Sequence, residues 1–182
     1  VSSLKFRNSM LIMACLMLVL VAAPVSAAQV SYSDAGIQFF ASSAGGSELV
    51  PGTETEFTVK LINNAQYEVV AAESGLQRQY DVATAYQLRV SLKCAPGVTI
   101  KTDTQTIGQL NPGETASLTY LVSVDRYAEP GKRTLDLDVV YNELFSTENY
   151  GDALGYTWLN DRKATVPLSV SVRSLVAPEI VA

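Results

Sequence analysis

Residues 109–141, QLNPGETASLTYLVSVDRYAEPGKRTLDLDVVY, contain two runs in which apolar and polar side chains alternate. A period of two is that of a β-strand with one buried face. Each run follows a Pro-Gly pair, Pro112-Gly113 or Pro130-Gly131, and such pairs suit the central positions of type II turns. Pro51-Gly52 and Pro96-Gly97 predict turns of the same kind earlier in the chain. The stretch therefore predicts two half-buried strands that share one core.

The same alternation recurs along the chain, at residues 56–62, 86–92 and 166–172, with shorter apolar runs at 37–41 and 98–100. About seven strands without a long amphipathic helix predict an all-β fold, an immunoglobulin-like antiparallel β-sandwich, with a closed barrel as the alternative. The predicted core consists of Phe57, Val59, Leu61, Leu88, Val90, Leu92, Leu118, Tyr120, Val122, Leu135, Leu137, Val139, Val166, Leu168 and Val170.

Three further features of the chain carry structural predictions. The segments 66–83 and 142–163 lack a sustained period and are predicted to be long loops, which in compact domains are often functional. Pro167 lies on the outward side of the last strand and marks an edge strand or a bulge.

The amino-terminal segment 1–28 has the layout of a secretory signal peptide. Lys5 and Arg7 precede the apolar run 10–23, and small residues at 25–28 offer a cleavage site. The alternative is an uncleaved membrane anchor, although the apolar run is shorter than a usual span of ~20 residues. We expect residues 29–173 to form the sandwich domain outside the cytoplasm, secreted or on the cell surface.

The charge of the chain disfavours two classes of partner. The formal net charge is −5, and removing Lys5 and Arg7 with the signal segment leaves −7. Binding to nucleic acid or to an anionic membrane by charge alone requires a positive field. Cys94 is the one cysteine of residues 29–182, so no disulfide forms within that part, and its phase predicts a buried, inert thiol.

The composition also argues against common enzyme chemistry. The chain has no histidine, so it contains neither a Ser-His-Asp or Cys-His arrangement nor a histidine metal site. Its glycines form no phosphate-binding loop. Asp136 and Asp138 share an outward strand face, where a pair of carboxylates usually serves solubility. We expect no catalytic site, and an enzyme is the third-ranked interpretation.

Two groups of side chains in the segment 142–163 are candidate binding sites. Carboxylate and amide oxygens suit calcium, although the spacing is not that of an EF-hand, and the alternative is a solvated acidic loop. Aromatic rings stack on sugars or dock proteins, and the alternative is that Trp158 folds back over the end of the sandwich. The candidate calcium ligands are Glu143, Glu148, Asn149, Asp152 and Asp161, and the aromatic group is Tyr150, Tyr156 and Trp158.

The pieces PGTETEFTVKLINN, ATAYQLRVSL and residues 107–141 resemble the archaeal S-layer-like domains, a group similar to CARDB-type and glycosidase-associated β-sandwich modules. The resemblance covers roughly residues 49–172, and the long segments 66–83 and 142–163 depart from it. It implies a module of the cell envelope that often occurs in tandem, and it brings no catalytic motif.

These observations predict a non-enzymatic structural or interaction module of an envelope-associated surface protein. The alternative is a carbohydrate-binding module that uses the aromatic residues. Expected partners are other envelope proteins or further copies of similar modules, and glycans in the alternative. The segment 174–182 is expected to be a linker to a following module, which a membrane anchor often follows in related surface proteins.

Overall fold

A computed structural model of the chain describes residues 28–31, 36–65, 82–149 and 154–174. Most of the predicted signal segment, most of the predicted loop 66–83 and the predicted linker beyond Ser174 lie outside these residues. No helix among the described residues is long and apolar enough to span a membrane. The strands of the described part are β1 (Ala28–Ser31), β2 (Phe39–Ala44), β3 (Glu48–Leu49), β4 (Glu54–Asn63), β5 (Ala85–Leu92), β6 (Val98–Ile100), β7 (Gln105–Leu110), β8 (Thr115–Val124), β9 (Gly131–Asn149) and β10 (Leu154–Val172).

The strands form two facing sheets, which confirms the predicted all-β sandwich. The six-stranded sheet has the order β3-β10-β9-β5-β7, and β1 pairs with the carboxyl-terminal end of β9. The four-stranded sheet has the order β2-β4-β8-β6. All pairs are antiparallel except β10 with β3. The described residues hold three strands beyond the seven expected, β1, β3 and β7, and β1 and β3 are too short to show a period.

The sandwich core contains every residue predicted for it. All fifteen are at most 6% exposed, and Val59, Leu61, Leu88, Val90, Tyr120, Val122, Leu135, Leu137 and Val139 are at 0%. Tyr120 of β8 donates its hydroxyl to the carbonyl oxygen of Val90 in the opposite sheet at 3.3 Å. Burial raises the pKa of this tyrosine to about 12, because the ionised phenol is costly away from water. The hydroxyl therefore links the two sheets in its neutral form.

Three Pro-Gly pairs form the predicted turns. Gly52, Gly97 and Gly113 have φ of 74°, 75° and 78°, near the value of the third residue of a type II turn. In each turn the residue after glycine donates its N–H to the carbonyl oxygen of the residue before proline. Pro130-Gly131 differs, because Gly131 has φ of 130° and is already the first residue of β9.

Two of these glycines form a matched pair for mutation. An alanine at Gly97 or Gly113 adopts the same left-handed backbone, which costs roughly 1–2 kcal/mol. Around Gly113 a Cβ meets nothing within 4 Å, whereas at Gly97 it lies 2.9 Å from the Cβ of Ala128. We expect Gly97→Ala to lower the free energy of unfolding by about 1 kcal/mol or more beyond Gly113→Ala. Equal losses in denaturant titrations of the two variants would contradict this.

The segment 142–163 is not a loop along its described part, which corrects the sequence prediction. Residues up to Asn149 continue β9, and residues from Leu154 onwards belong to β10, so that the two strands form one long hairpin. The register shifts at Thr157/Trp158 and again at Leu159/Arg162. Such bulges interrupt the two-residue period, and the alternation by which a strand is recognised in sequence is lost.

Pro167 lies on an edge, as predicted. Outside its pairing with β9, β10 pairs in the described part only with the two residues of β3, at Ser171 and Val172. The prediction for Cys94 is wrong, because the residue is exposed. Strand β5 ends at Leu92, so Cys94 leaves the alternation that suggested burial, and its sulfur accepts the N–H of Ile100 at 3.4 Å.

Candidate functional site

An open cleft of about 400 Å³ lies on the outer face of the six-stranded sheet. Four neighbouring strands, β10, β9, β5 and β7, contribute to it. We call it the Trp158 cleft, and its lining consists of Tyr86, Gln87, Gly108, Asn142, Trp158 and Asn160. Gly108 is the residue that β7 contributes to the lining. A Cβ built on it would meet nothing within 4 Å, so the cleft has open space at this position.

Two residues with strained backbone belong to this cleft or adjoin it: Gln87 is part of its lining, and Asp161 follows the lining residue Asn160. Gln87 and Asp161 have φ of 51° and 55°, and they are the described non-glycine residues with positive φ. Each lies at a register shift, one between Tyr86 and Arg89 and the other in the second bulge of the hairpin. Such a conformation costs of order 1–3 kcal/mol per residue and persists only where neighbouring groups fix it.

Asn142 is the group that joins the two strained positions. Its Nδ2 donates to Oε1 of Gln87 at 2.8 Å, and its Oδ1 accepts the backbone N–H of Asp161 at 3.0 Å. Arg89 and Asp161 also form an ion pair at 2.5 Å. Both of these charged side chains are more than half exposed, so the pair itself contributes little to stability. One amide side chain therefore fixes the geometry of both bulges.

The aromatic side chains of the cleft are partly held by the protein itself. Tyr86 and Trp158 meet edge to face, with ring centroids 5.2 Å apart and planes at 86°. Trp158 and Tyr156 also pack against a small apolar cluster formed by Val82 and Leu144. This agrees with the interpretation that Trp158 covers part of the fold, and the same residue also lines the cleft.

The aromatic residues predicted as a group do not all line the cleft. Trp158 does, Tyr156 belongs to the cluster beside it, and Tyr150 lies outside the described residues. The other lining residues were missed, because Gln87 is an ordinary outward strand position on sequence, and Asn142 and Asn160 fall in the segment that was predicted to be a loop. Gly108 inside a strand was the one available signal, since glycine in a strand often marks a close approach.

The predicted calcium ligands are dispersed, as far as the structure describes them. Glu143 is 5% exposed and its carboxylate meets Nε of Arg162 at 3.2 Å. Asp161 pairs with Arg89, and Glu148 is half-buried in β9. The side chains of Asn149 and Asp152 lie outside the described part. No three acidic, cysteine or histidine residues gather there in a group that could hold a metal, and the calcium site stays a prediction.

Comparison with known proteins yields no family for this chain. No family model matches it, and no curated protein matches its sequence. Among solved structures, native alpha-2-macroglobulin of Escherichia coli is 14% identical at a TM-score of 0.38, over 74% of this chain and 6% of that one. A crystal structure of the same protein from domain MG7 to the C-terminus is 13% identical at 0.40, over 78% and 17%.

A third similar structure is that of AvmM, described as catalysing macrocyclization in alchivemycin A biosynthesis. It is 10% identical at a TM-score of 0.32, over 82% of this chain and 99% of that one. Scores this low carry no functional argument. The strand order of this chain by itself shows that it is a β-sandwich.

Proposed function

We propose that this chain is a non-enzymatic interaction module of an envelope-associated surface protein, and that the Trp158 cleft is its binding surface. The observation that carries the proposal is the pair of strained residues, Gln87 and Asp161, which Asn142 holds beside the cleft. Strain of this kind clusters at ligand-binding positions. The envelope location rests on the signal-type segment 1–28 and on the resemblance to S-layer-like domains.

The lining of the cleft favours a carbohydrate as the ligand, which is the second candidate function. Aromatic side chains supply apolar area for the face of a sugar ring. The amide groups of Gln87, Asn142 and Asn160 offer both donors and acceptors to hydroxyl groups. None of the lining residues is charged, so a neutral saccharide is accommodated without an unpaired ion.

Filling the cleft tests its role without removing any contact. Gly108→Leu places an apolar side chain in open space at a backbone that does not need glycine, so we expect the fold to persist and ligand binding to be lost. The matched control is Thr99→Leu, an exposed position in β6 of the opposite sheet. The measurement is binding to a glycan array and to envelope fractions, with thermal unfolding of each variant.

A second pair of variants distinguishes ligand binding by the aromatic ring of the cleft from non-specific binding by any exposed aromatic side chain. Trp158→Ala removes the ring of the cleft, and Tyr127→Ala removes a tyrosine that is 86% exposed and lies outside the cleft. Saccharide binding lost only in Trp158→Ala and Gly108→Leu supports the carbohydrate interpretation. Capture of an envelope protein, sensitive to the same two variants, supports protein interaction. Binding that survives both variants, or hydrolysis of a sugar or peptide by the purified chain, overturns the proposal.

A further inference from the structure

The outer edge of β2 lacks the features by which proteins protect sheet edges. Residues 39–44 are FFASSA, without charge or proline, and Phe40 is 54% exposed. The edge strand β10 of the facing sheet has Arg162, Lys163 and Pro167. Charged side chains and proline prevent strand addition, whereas an unprotected edge offers its backbone to another strand.

The remaining edges of the described sheets are less available. Strands β1, β3 and β6 have four, two and three residues. The start of β7 is tied to the other sheet by the side chain of Gln105, which donates to the carbonyl oxygen of Thr119 at 2.9 Å. Strand β2 is therefore the described edge best suited to accept a strand.

The hydrogen bonds of β4 show which backbone groups of β2 face outward. The N–H of Asn64 donates to the carbonyl oxygen of Gln38 at 2.7 Å, and the pairing register continues as Phe39 with Asn63 and Phe40 with Ile62. Hydrogen-bonded pairs alternate along an antiparallel ladder, so the even-numbered residues of β2 bond to β4. The N–H and C=O groups of Phe39, Ala41 and Ser43 are directed to the outer edge, where the described residues provide no neighbouring strand.

We propose that β2 pairs antiparallel with β2 of a second copy of this chain, with the twofold axis at Ala41. This register uses all three outward residues of each copy and forms about six backbone hydrogen bonds. It joins the two four-stranded sheets into one continuous sheet. The interface lies on the edge of the four-stranded sheet and is independent of the Trp158 cleft.

The side chains of β2 suit a second copy as the occupant, because a twofold axis at Ala41 places each phenylalanine opposite a small serine. The net charge of −5 makes two copies repel each other, so they associate most readily through a surface without acidic side chains, and β2 has none. In this register Ser42 of one copy stands beside Phe40 of the other, and Lys60 lies next to Ser42 on β4. The lysine stem reaches over the small serine toward the aromatic ring. The two Lys60 residues are about 14 Å apart across the strands, beyond the screening length of about 8 Å.

Two substitutions test the interface while leaving the β4 ladder intact. Ser43→Pro removes an N–H that points outward, which edge strands tolerate, and Ser42→Lys adds a charge at an exposed position. The control is Thr99→Lys, which adds the same charge on the exposed face of β6. The mass of each purified chain is measured by light scattering and sedimentation over a concentration series, together with its thermal unfolding.

We expect the original chain and Thr99→Lys to dimerise. Ser43→Pro removes two hydrogen bonds per dimer, which weakens association about thirtyfold. Ser42→Lys is expected to be monomeric, with thermal unfolding of the monomer little changed. The proposal is overturned if the original chain is monomeric over the whole concentration series. This also holds if the monomer binds a foreign extended peptide at this edge. A dimer that both substitutions leave unaffected overturns it as well.

Discussion

Replacing Asn63 by leucine is expected to lower the free energy of unfolding by at least about 3 kcal/mol, since three buried polar partners lose their bonds at about 1 kcal/mol or more each. Asn63 is fully buried at the end of β4. Its Nδ2 donates to the carbonyl oxygens of Ala83 and Leu110, both at 2.9 Å, and its Oδ1 accepts the N–H of Ala65 at 3.1 Å. Denaturant titration measures the loss.

The neighbouring asparagine provides the control. Asn64 is exposed, so Asn64→Ala should change the free energy of unfolding by no more than about 0.5 kcal/mol. Asn63→Asp adds a test of geometry, because it places a carboxylate against two carbonyl oxygens. This raises the pKa of the new carboxyl group in the folded state, so the variant should be most stable below the unfolded pKa and lose stability as pH rises. An Asn63→Asp variant insensitive to pH would contradict the bonding described.

Leu137→Ala is expected to cost about 2–5 kcal/mol, because truncation removes buried apolar area and leaves a cavity between the sheets. Leu137 is fully buried in β9, in register with Leu92 of β5 and Val166 of β10. Its neighbours on both sides lie in regular strands, which restrict collapse into the space. Thermal and denaturant unfolding should both show the loss.

The adjacent position serves as a reference for this variant. Asp136 is exposed on the outer face of the same strand, so Asp136→Ala should stay within about 0.5 kcal/mol of the original chain. A larger loss from Asp136→Ala than from Leu137→Ala would mean that the sheet faces are reversed.

The sequence predicted the sandwich and its core well, and the Trp158 cleft poorly. Alternation at residues 118–124 and 135–141 depends on local geometry alone, so burial of Leu118 and Leu137 followed directly. Gln87 and Asp161 gave no such signal, because their bulges arise from pairing with distant strands. The aromatic group was assigned to a loop for the same reason, and of its described members only Trp158 contributes to the cleft.

What the sequence by itself determined is the set of strands with a clean two-residue period, the faces they bury and the Pro-Gly turns at Gly52, Gly97 and Gly113. These depend on steric preferences of a few neighbouring residues. Only the tertiary structure decided the partners of Asn63, which are 20 and 47 residues away for Ala83 and Leu110. It also decided the long hairpin, the cleft and the unprotected edge of β2, because strand order and register are set by contacts between distant parts of the chain.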